Sequence, residues 1–483
     1  MTMERLKSYP SYRPSGVEWL EDVPERWEIR RIRSVADMRV SNVDKHTKEN
    51  EWPVRLCNYV DVYKNARITD AMPFMNATAS WNEIERFRLE PGDVLITKDS
   101  EAWDDIGIPS LVVESAHDLL AGYHLALLRP SNEVLGAYLA LTFRSRVVAY
   151  QFHVKANGVT RYGLTHAGIR SVQIPLPPLS EQRAIVRYLD YVDRRIRRYV
   201  AVKRKLIALL EEERRAIITQ VVTRGLDPIV RLKPSGVEWL GDVSEHWEVR
   251  RAKFFYRVTD ERSATGEEAL MSVSHITGVT LRKNTVTMFR SESNIGYKIC
   301  RPGDIVINTM WAYMAALGVA RQSGLVSPSY GVYRPIRDER LNPDYVDFIL
   351  RTEAYRANYA ARSTGITHSR LRLYAESFLD IPLLCPPKAE QDAIIEYVDK
   401  AINGIDAAIT RARRQVELVE EYRTRLISDV VTGKLDVREV AAQLLEDADD
   451  HEPIGQGDPQ QNGLAETIHY AEEEPAIAEE VSI

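Results

Sequence analysis

The sequence predicts an α+β protein of two tandem globules, separated and followed by long helices that pair as an antiparallel intramolecular coiled coil. Three observations carry that prediction. The chain repeats itself once in order, each copy opens with mixed strand and helix patterning that stops at a proline cluster, and each copy then runs into a long helix with a heptad seam.

The repeat is direct. PSGVEWL occurs at Pro14–Leu20 and again at Pro234–Leu240, each followed by D-V-x-E-x-W-E-[IV]-R-R, an offset of 220. PGDVLI at Pro91–Ile96 matches PGDIVI at Pro302–Ile307, and NGVT at Asn157–Thr160 matches TGIT at Thr364–Thr367, with offsets of 211 and 207. EQRAI at Glu181–Ile185 matches EQDAI at Glu390–Ile394, and VVTRGLD at Val221–Asp227 matches VVTGKLD at Val430–Asp436, both at 209. The copies share their edges and diverge in their middles, as expected when one scaffold carries different loops for two ligands.

The first globule spans residues 1–178 and the second 231–387. Asp93–Thr97 and Leu125–Leu128 have strand character, while Leu135–Val154 and Asp344–Ala361 carry helical periodicity. Pro175, Pro177 and Pro178, and later Pro382, Pro386 and Pro387, are expected to end the globules, because proline extends neither a ladder nor a helix interior.

A long helix with a linker follows at 179–230, and its counterpart at 388–436. Ser180 is placed to cap the first. Its seam runs Ile185, Leu189, Val192, Ile196, Tyr199, Leu206 and Leu210; the second runs Ile394, Val398, Ile405, Val419 and Leu426, with alanines between. Two matching seams in one chain pair without the entropy cost of a second molecule, and the second helix must run back for the chain to close. At about 1.5 Å per residue the first helix spans roughly 66 Å, near two turns of duplex DNA.

Composition narrows the class. Hydrophobic residues at 44% and charged residues at 28% describe a folded rather than a disordered or membrane chain. The sequence shows neither a membrane span nor a secretory signal, so a cytoplasmic location is expected. Cys57, Cys300 and Cys385 have no C-x-x-C spacing and read as reduced core thiols rather than zinc ligands or disulfides. Residues 437–483 hold thirteen acidic side chains against Arg438 alone, and this tail is expected to be disordered. Of the formal net charge of −6 the tail carries −12, which leaves +6 for residues 1–436, a basic body suited to phosphates.

This order of globule, EQ-led helix, globule, EQ-led helix resembles the specificity subunits of type I restriction-modification systems over residues 12–436. The likeness rests on Pro24–Trp27 and its counterpart ending at Trp247, where Ser244 replaces the proline, and on the PGD strands and G-[VI]-T segments. It rests also on the junctions IPLPPLSEQRAI and IPLLCPPKAEQDAI. The resemblance implies two target recognition domains, each reading half of a bipartite, asymmetric sequence in double-stranded DNA. It implies helices that set the gap and dock two adenine methyltransferase subunits, with restriction (translocase and nuclease) subunits joining them. S-adenosylmethionine, ATP and magnesium would then serve those partners, and this chain would hold no cofactor and catalyse nothing.

The sequence agrees with that absence of catalysis. It carries no glycine-rich cofactor loop with an [ND]-P-P-[YF] site and no G-x-x-x-x-G-K-[ST] loop. Asp93 with Lys98 is the nearest approach to a nuclease site, but the second copy has no lysine after Asp304, and a strand-end turn is the better reading. Glu181, Gln182, Glu390 and Gln391 are assigned to helix starts.

Base readout needs Arg, Lys, Asn, Gln or His at a groove edge, so divergent loops at matched positions are the place to look. Lys98 and Trp103 follow the first PGD strand; Asn308, Trp311 and Tyr313 follow the second. Arg161 and Tyr162, with His368 and Arg370, follow glycines that let the backbone approach closely. Arg282, Lys283 and Arg290 are candidates for phosphate contact. The competing reading is a homodimeric coiled-coil adaptor without DNA affinity, against which the duplication and the basic body both weigh.

Overall fold

The computed structural model describes residues 6–282, 293–336, 340–366 and 370–444. The chain is mixed α+β, and its two long helices, Leu179–Arg224 and Lys388–Val431, pack together. Contacts divide it into two compact units, whose described parts are 6–203 with 414–444, and 204–413. Each unit holds one globule and half of each long helix.

In the first unit a five-stranded sheet runs in the order Ala36–Val40, Leu125–Pro130, Val94–Thr97, Pro109–Val112, Arg67–Ile68. All its pairs are antiparallel except the last. Val94–Thr97 is buried along its whole length, because core packs on both faces of this central strand; that is why it reads as a continuous apolar run. In the second unit Tyr256–Val258, Gly331–Pro335, Ile305–Ile307 and Leu317–Val319 form an antiparallel sheet in that order. Ile305–Ile307 takes the same buried central place.

The PGD aspartates lock these sheets. The buried Asp93 carboxylate accepts from Arg129 Nε and Nη2 at 2.9 and 2.8 Å, and from the Glu90 N–H at 2.8 Å. Asp304 accepts from Arg334 at 3.0 and 2.9 Å and from the Arg301 N–H at 2.9 Å. A strand-end turn is what the structure shows, and it is held by a buried two-pronged ion pair to the neighbouring strand.

Several local expectations change. Leu135–Val154 is two helices, Gly136–Arg144 and Arg146–His153, because Ser145 is extended and its side chain accepts from the Val148 N–H. Asp344–Ala361 breaks in the same place, into Pro343–Leu350 and Glu353–Arg362. Pro175 and Pro382 lie within short strands, Gln173–Leu176 and Pro382–Cys385, that pair with Glu28–Arg31 and Glu248–Arg251. A two-stranded ribbon tolerates a missing N–H that a central strand would not. Ser180 is not the cap: the first long helix begins at Leu179, and the Pro178 carbonyl accepts the Glu181 and Gln182 N–H groups.

The EQ pairs do more than start helices. Fully buried Gln182 accepts from the Leu135 N–H and donates to the Glu133 and Pro177 carbonyls, each at 2.9 Å. Gln391 repeats this with the Asn342 N–H and the Arg340 and Pro386 carbonyls. Glu390 accepts from the indole of buried Trp247 at 3.1 Å and contacts His246 Nε2 at 2.7 Å, so the two sequence motifs meet in space.

Ile185, Leu189, Ile196 and Leu426 are buried in the first unit, with Val192 packed against them. Ile394 and Val398 are buried in the second, where Leu210 and Ile405 are half-buried; Val419, in the first, is half-buried too. Leu206 departs from its expected place and is 40% exposed. Ion pairs take over along that stretch of the second unit: Arg214 with Asp406 and Arg413 with Glu211. Arg423 pairs with Asp193 in the first.

The acidic tail was expected to begin at 437. Instead Arg438–Gln443 is a short helix, with Val437 and Ala441 buried in the core of the first unit. Val440 and Leu444 pack against the same core, and Lys7 pairs with Glu439. Residues 445–483 lie outside the described residues. Among the described residues no helix is long and apolar enough to cross a membrane.

Candidate nucleic-acid interface

The loops singled out in each copy lie far apart in sequence, and the fold ties them side by side. In the first unit Asp99–Ser100, just after the PGD strand, pairs with Tyr162–Leu164, which pairs in turn with Ala156–Asn157. The Leu164 N–H donates to the Lys98 carbonyl at 2.9 Å. In the second unit the Leu373 N–H donates to the Thr309 carbonyl at 3.0 Å, the same bond at the equivalent residues, and Thr364 bridges Arg372. Both units thus build one platform from a post-strand loop and a glycine-led hairpin.

The expected close approach at the glycines is present. Gly158 has φ 153°, and a Cβ there would lie 1.9 Å from the Arg161 carbonyl oxygen; one on Gly365 would lie 2.4 Å from that of Arg370. Any other residue would push the hairpin strands apart.

Side chains on the platforms differ in availability. Arg161 and Arg370 are exposed, as is Trp103, which meets His153 edge-on at 6.1 Å. Burial lowers the His153 pKa below the usual imidazole value, so this ring is neutral at pH 7. Tyr162 and Trp311 are half-buried, as is Tyr313, which has partners of its own. Lys98 turns inward, 3.9 Å from the Asp99 carboxylate and 5.9 Å from the centre of the Tyr123 ring. Asn308 is buried: its amide donates to the Tyr330 hydroxyl at 3.1 Å and its oxygen accepts from the Met310 N–H at 3.2 Å. These bonds turn the Asn308 side chain into its own loop rather than toward the surface. Arg282 is exposed at the end of the strand Gly278–Leu281. Lys283, Arg290 and His368 lie outside the described residues.

Residues that sequence reasoning passed over also reach the first platform. His124 has φ 72°, rare for a non-glycine, and its Nδ1 contacts Asp99 Oδ2. Tyr63 bonds Asp105, which pushes its phenol up to about 12. Burial raises the pKa of Tyr59, stacked on Tyr63, while the nearby charge of Arg161 pulls it down. A Tyr-His pair between two strands was the one signal available for His124; nothing local marked Tyr59. Among the described residues no group of three or more His, Cys, Asp or Glu side chains is placed to hold a metal ion.

A profile of the type I restriction modification DNA specificity domain matches residues 24–205. The putative type I restriction enzyme MjaX specificity subunit of Methanocaldococcus jannaschii is 22% identical over 426 residues, 86% of this chain and 95% of that protein. The EcoKI specificity subunit of Escherichia coli K12 is 19% identical, over 73% of this chain and 76% of its own. A chain solved in work on complex assembly and conformational transition of the type I R-M system superposes with a TM-score of 0.58 at 16% identity, covering 86% of this chain and 99% of that one, a likeness of fold. The profile and the two curated relatives together support a protein of the type I restriction-modification specificity-subunit family.

Proposed function

We propose that this chain is the DNA sequence-specificity subunit of a type I restriction-modification complex, with two tandem target recognition domains that each read one half of a bipartite, asymmetric site. The observation that carries the reading is the platform built twice by the same hydrogen bond, with different side chains mounted on it. Common backbone and divergent side chains suit one task performed on two sequences. The long helices, of 46 and 44 residues, would pair as an antiparallel coiled coil, fix the separation of the half-sites and dock two adenine methyltransferase subunits. Restriction subunits would join that core. Methyl transfer and strand cleavage, with their S-adenosylmethionine, ATP and magnesium, fall to those partners, and this chain is a reader without catalysis of its own.

Methylome sequencing of the host supplies the bipartite motif, and a gel shift then tests the reading. The purified complex with methyltransferase subunits is expected to bind a duplex carrying both half-sites at their natural spacing, and to lose that binding when a few base pairs are inserted between them. Equal affinity for every spacing would refute the fixed separation. No shift with any duplex would favour the adaptor reading.

A further inference from the structure

Val159 and Ile366 are the most exposed large apolar side chains among the described residues, at 90% and 95%. They occupy the same place in the two copies, directly after the glycine of the hairpin. A β-branched apolar group held in water is unfavourable at either site. One such residue could be incidental; two at matched positions of two diverged copies point to a shared use.

We infer that these two hairpin tips are apolar DNA contacts, each pressing one β-branched side chain against base edges in its half-site. The inference rests on the DNA-reading function proposed above. The surroundings of each tip favour nucleic acid over a protein partner. A Cβ on Gly158 would meet the Arg161 carbonyl and one on Gly365 that of Arg370, so the backbone of an exposed arginine lies against the base of each apolar tip. A single apolar plug beside a cation suits a groove, where a thymine methyl offers apolar surface next to phosphates. A protein interface instead centres on a contiguous apolar patch. Around Val159 the hairpin offers Asn157, Gly158, Thr160 and Arg161, with no second apolar side chain among them. The tip also stands on the sheet that carries the post-strand loop, and so joins the platform already described.

Apolar contact and phosphate contact leave different signatures. Binding should be measured for the assembled complex with methyltransferase subunits, on the methylome-defined duplex and on an unrelated duplex of equal length, across a salt series. Val159→Ser and Ile366→Ser are each expected to weaken specific binding at least tenfold, leaving unrelated-duplex binding and the salt slope unchanged; Val159→Ile should retain wild-type affinity. Arg161→Gln should make the salt slope shallower. Specific affinity within twofold of wild type for both serine variants would overturn the inference and leave the DNA-reading function standing. Loss of methyltransferase assembly with normal DNA binding by the remaining complex would overturn it in favour of a protein contact. Failure of the wild-type complex to prefer its bipartite duplex would overturn the function itself, and the inference with it.

Discussion

Replacing Asp93 with alanine tests whether the PGD motif is structural, and the structure sets the size of the effect. The carboxylate is 2% exposed and accepts three hydrogen bonds, two of them from Arg129. Bonds to charged groups are worth about 1.5–3 kcal/mol each, so a simple sum for the guanidinium alone would be about 3–6 kcal/mol. Two features of Arg129 moderate that figure: its side chain is 24% exposed, and it keeps Glu90 and the Arg88 carbonyl as partners. The net expectation is a loss of about 3–5 kcal/mol, the usual result of breaking one side of a buried pair. Urea unfolding followed by hydrogen exchange reads each unit separately, and with a slope of about 2–3 kcal/mol per molar the midpoint of the first unit should fall by about 1–2 M. Exchange in Val94–Thr97 and Leu125–Pro130 should quicken, while strands of the second unit stay protected. Asp304→Ala should give the mirror result. A midpoint unchanged within about 0.3 M would refute the structural role of Asp93.

Two further outcomes follow from buried groups. Gln391→Leu conserves volume but strands the Asn342 N–H and removes a donor from two carbonyls, so a loss of about 2–4 kcal/mol in the second unit is expected by the same urea measurement; a neutral substitution would show that water replaces the amide. Burial raises the Cys57 pKa well above normal and pushes Cys300 up to about 11, so these two buried thiols should resist alkylation at pH 8 until the protein unfolds, with half-buried Cys385, pushed up to about 12, the first to react. Rapid labelling of Cys57 or Cys300 in the native protein by iodoacetamide would contradict that burial.

The acidic tail shows how a compositional rule meets its limit. Charge alone extends disorder back to Val437, yet Val437 and Ala441 find apolar partners on the first unit and order a helical turn. Leu206 shows the converse: heptad spacing nominates it for a seam, but at that stretch Arg214, Asp406, Glu211 and Arg413 make the contacts and leave it in water.

Features written in local order were legible from the residues alone: the duplication, the two long helices, and the glycines whose neighbours press against them. Repetition and periodicity are properties of spacing along one chain, so they survive without coordinates. What depends on partners far away in sequence came from the fold. Asp93 gives no sign that it is bound by Arg129, nor Glu390 that it receives Trp247, because neither partner stands at a fixed offset dictated by a helix or strand. For the same reason the platform itself, a loop after one strand tied to a hairpin about 60 residues later, was assembled by the fold. Solvent exposure is likewise a property of the folded surface, and it alone distinguished Val159 and Ile366 from the apolar residues of the core.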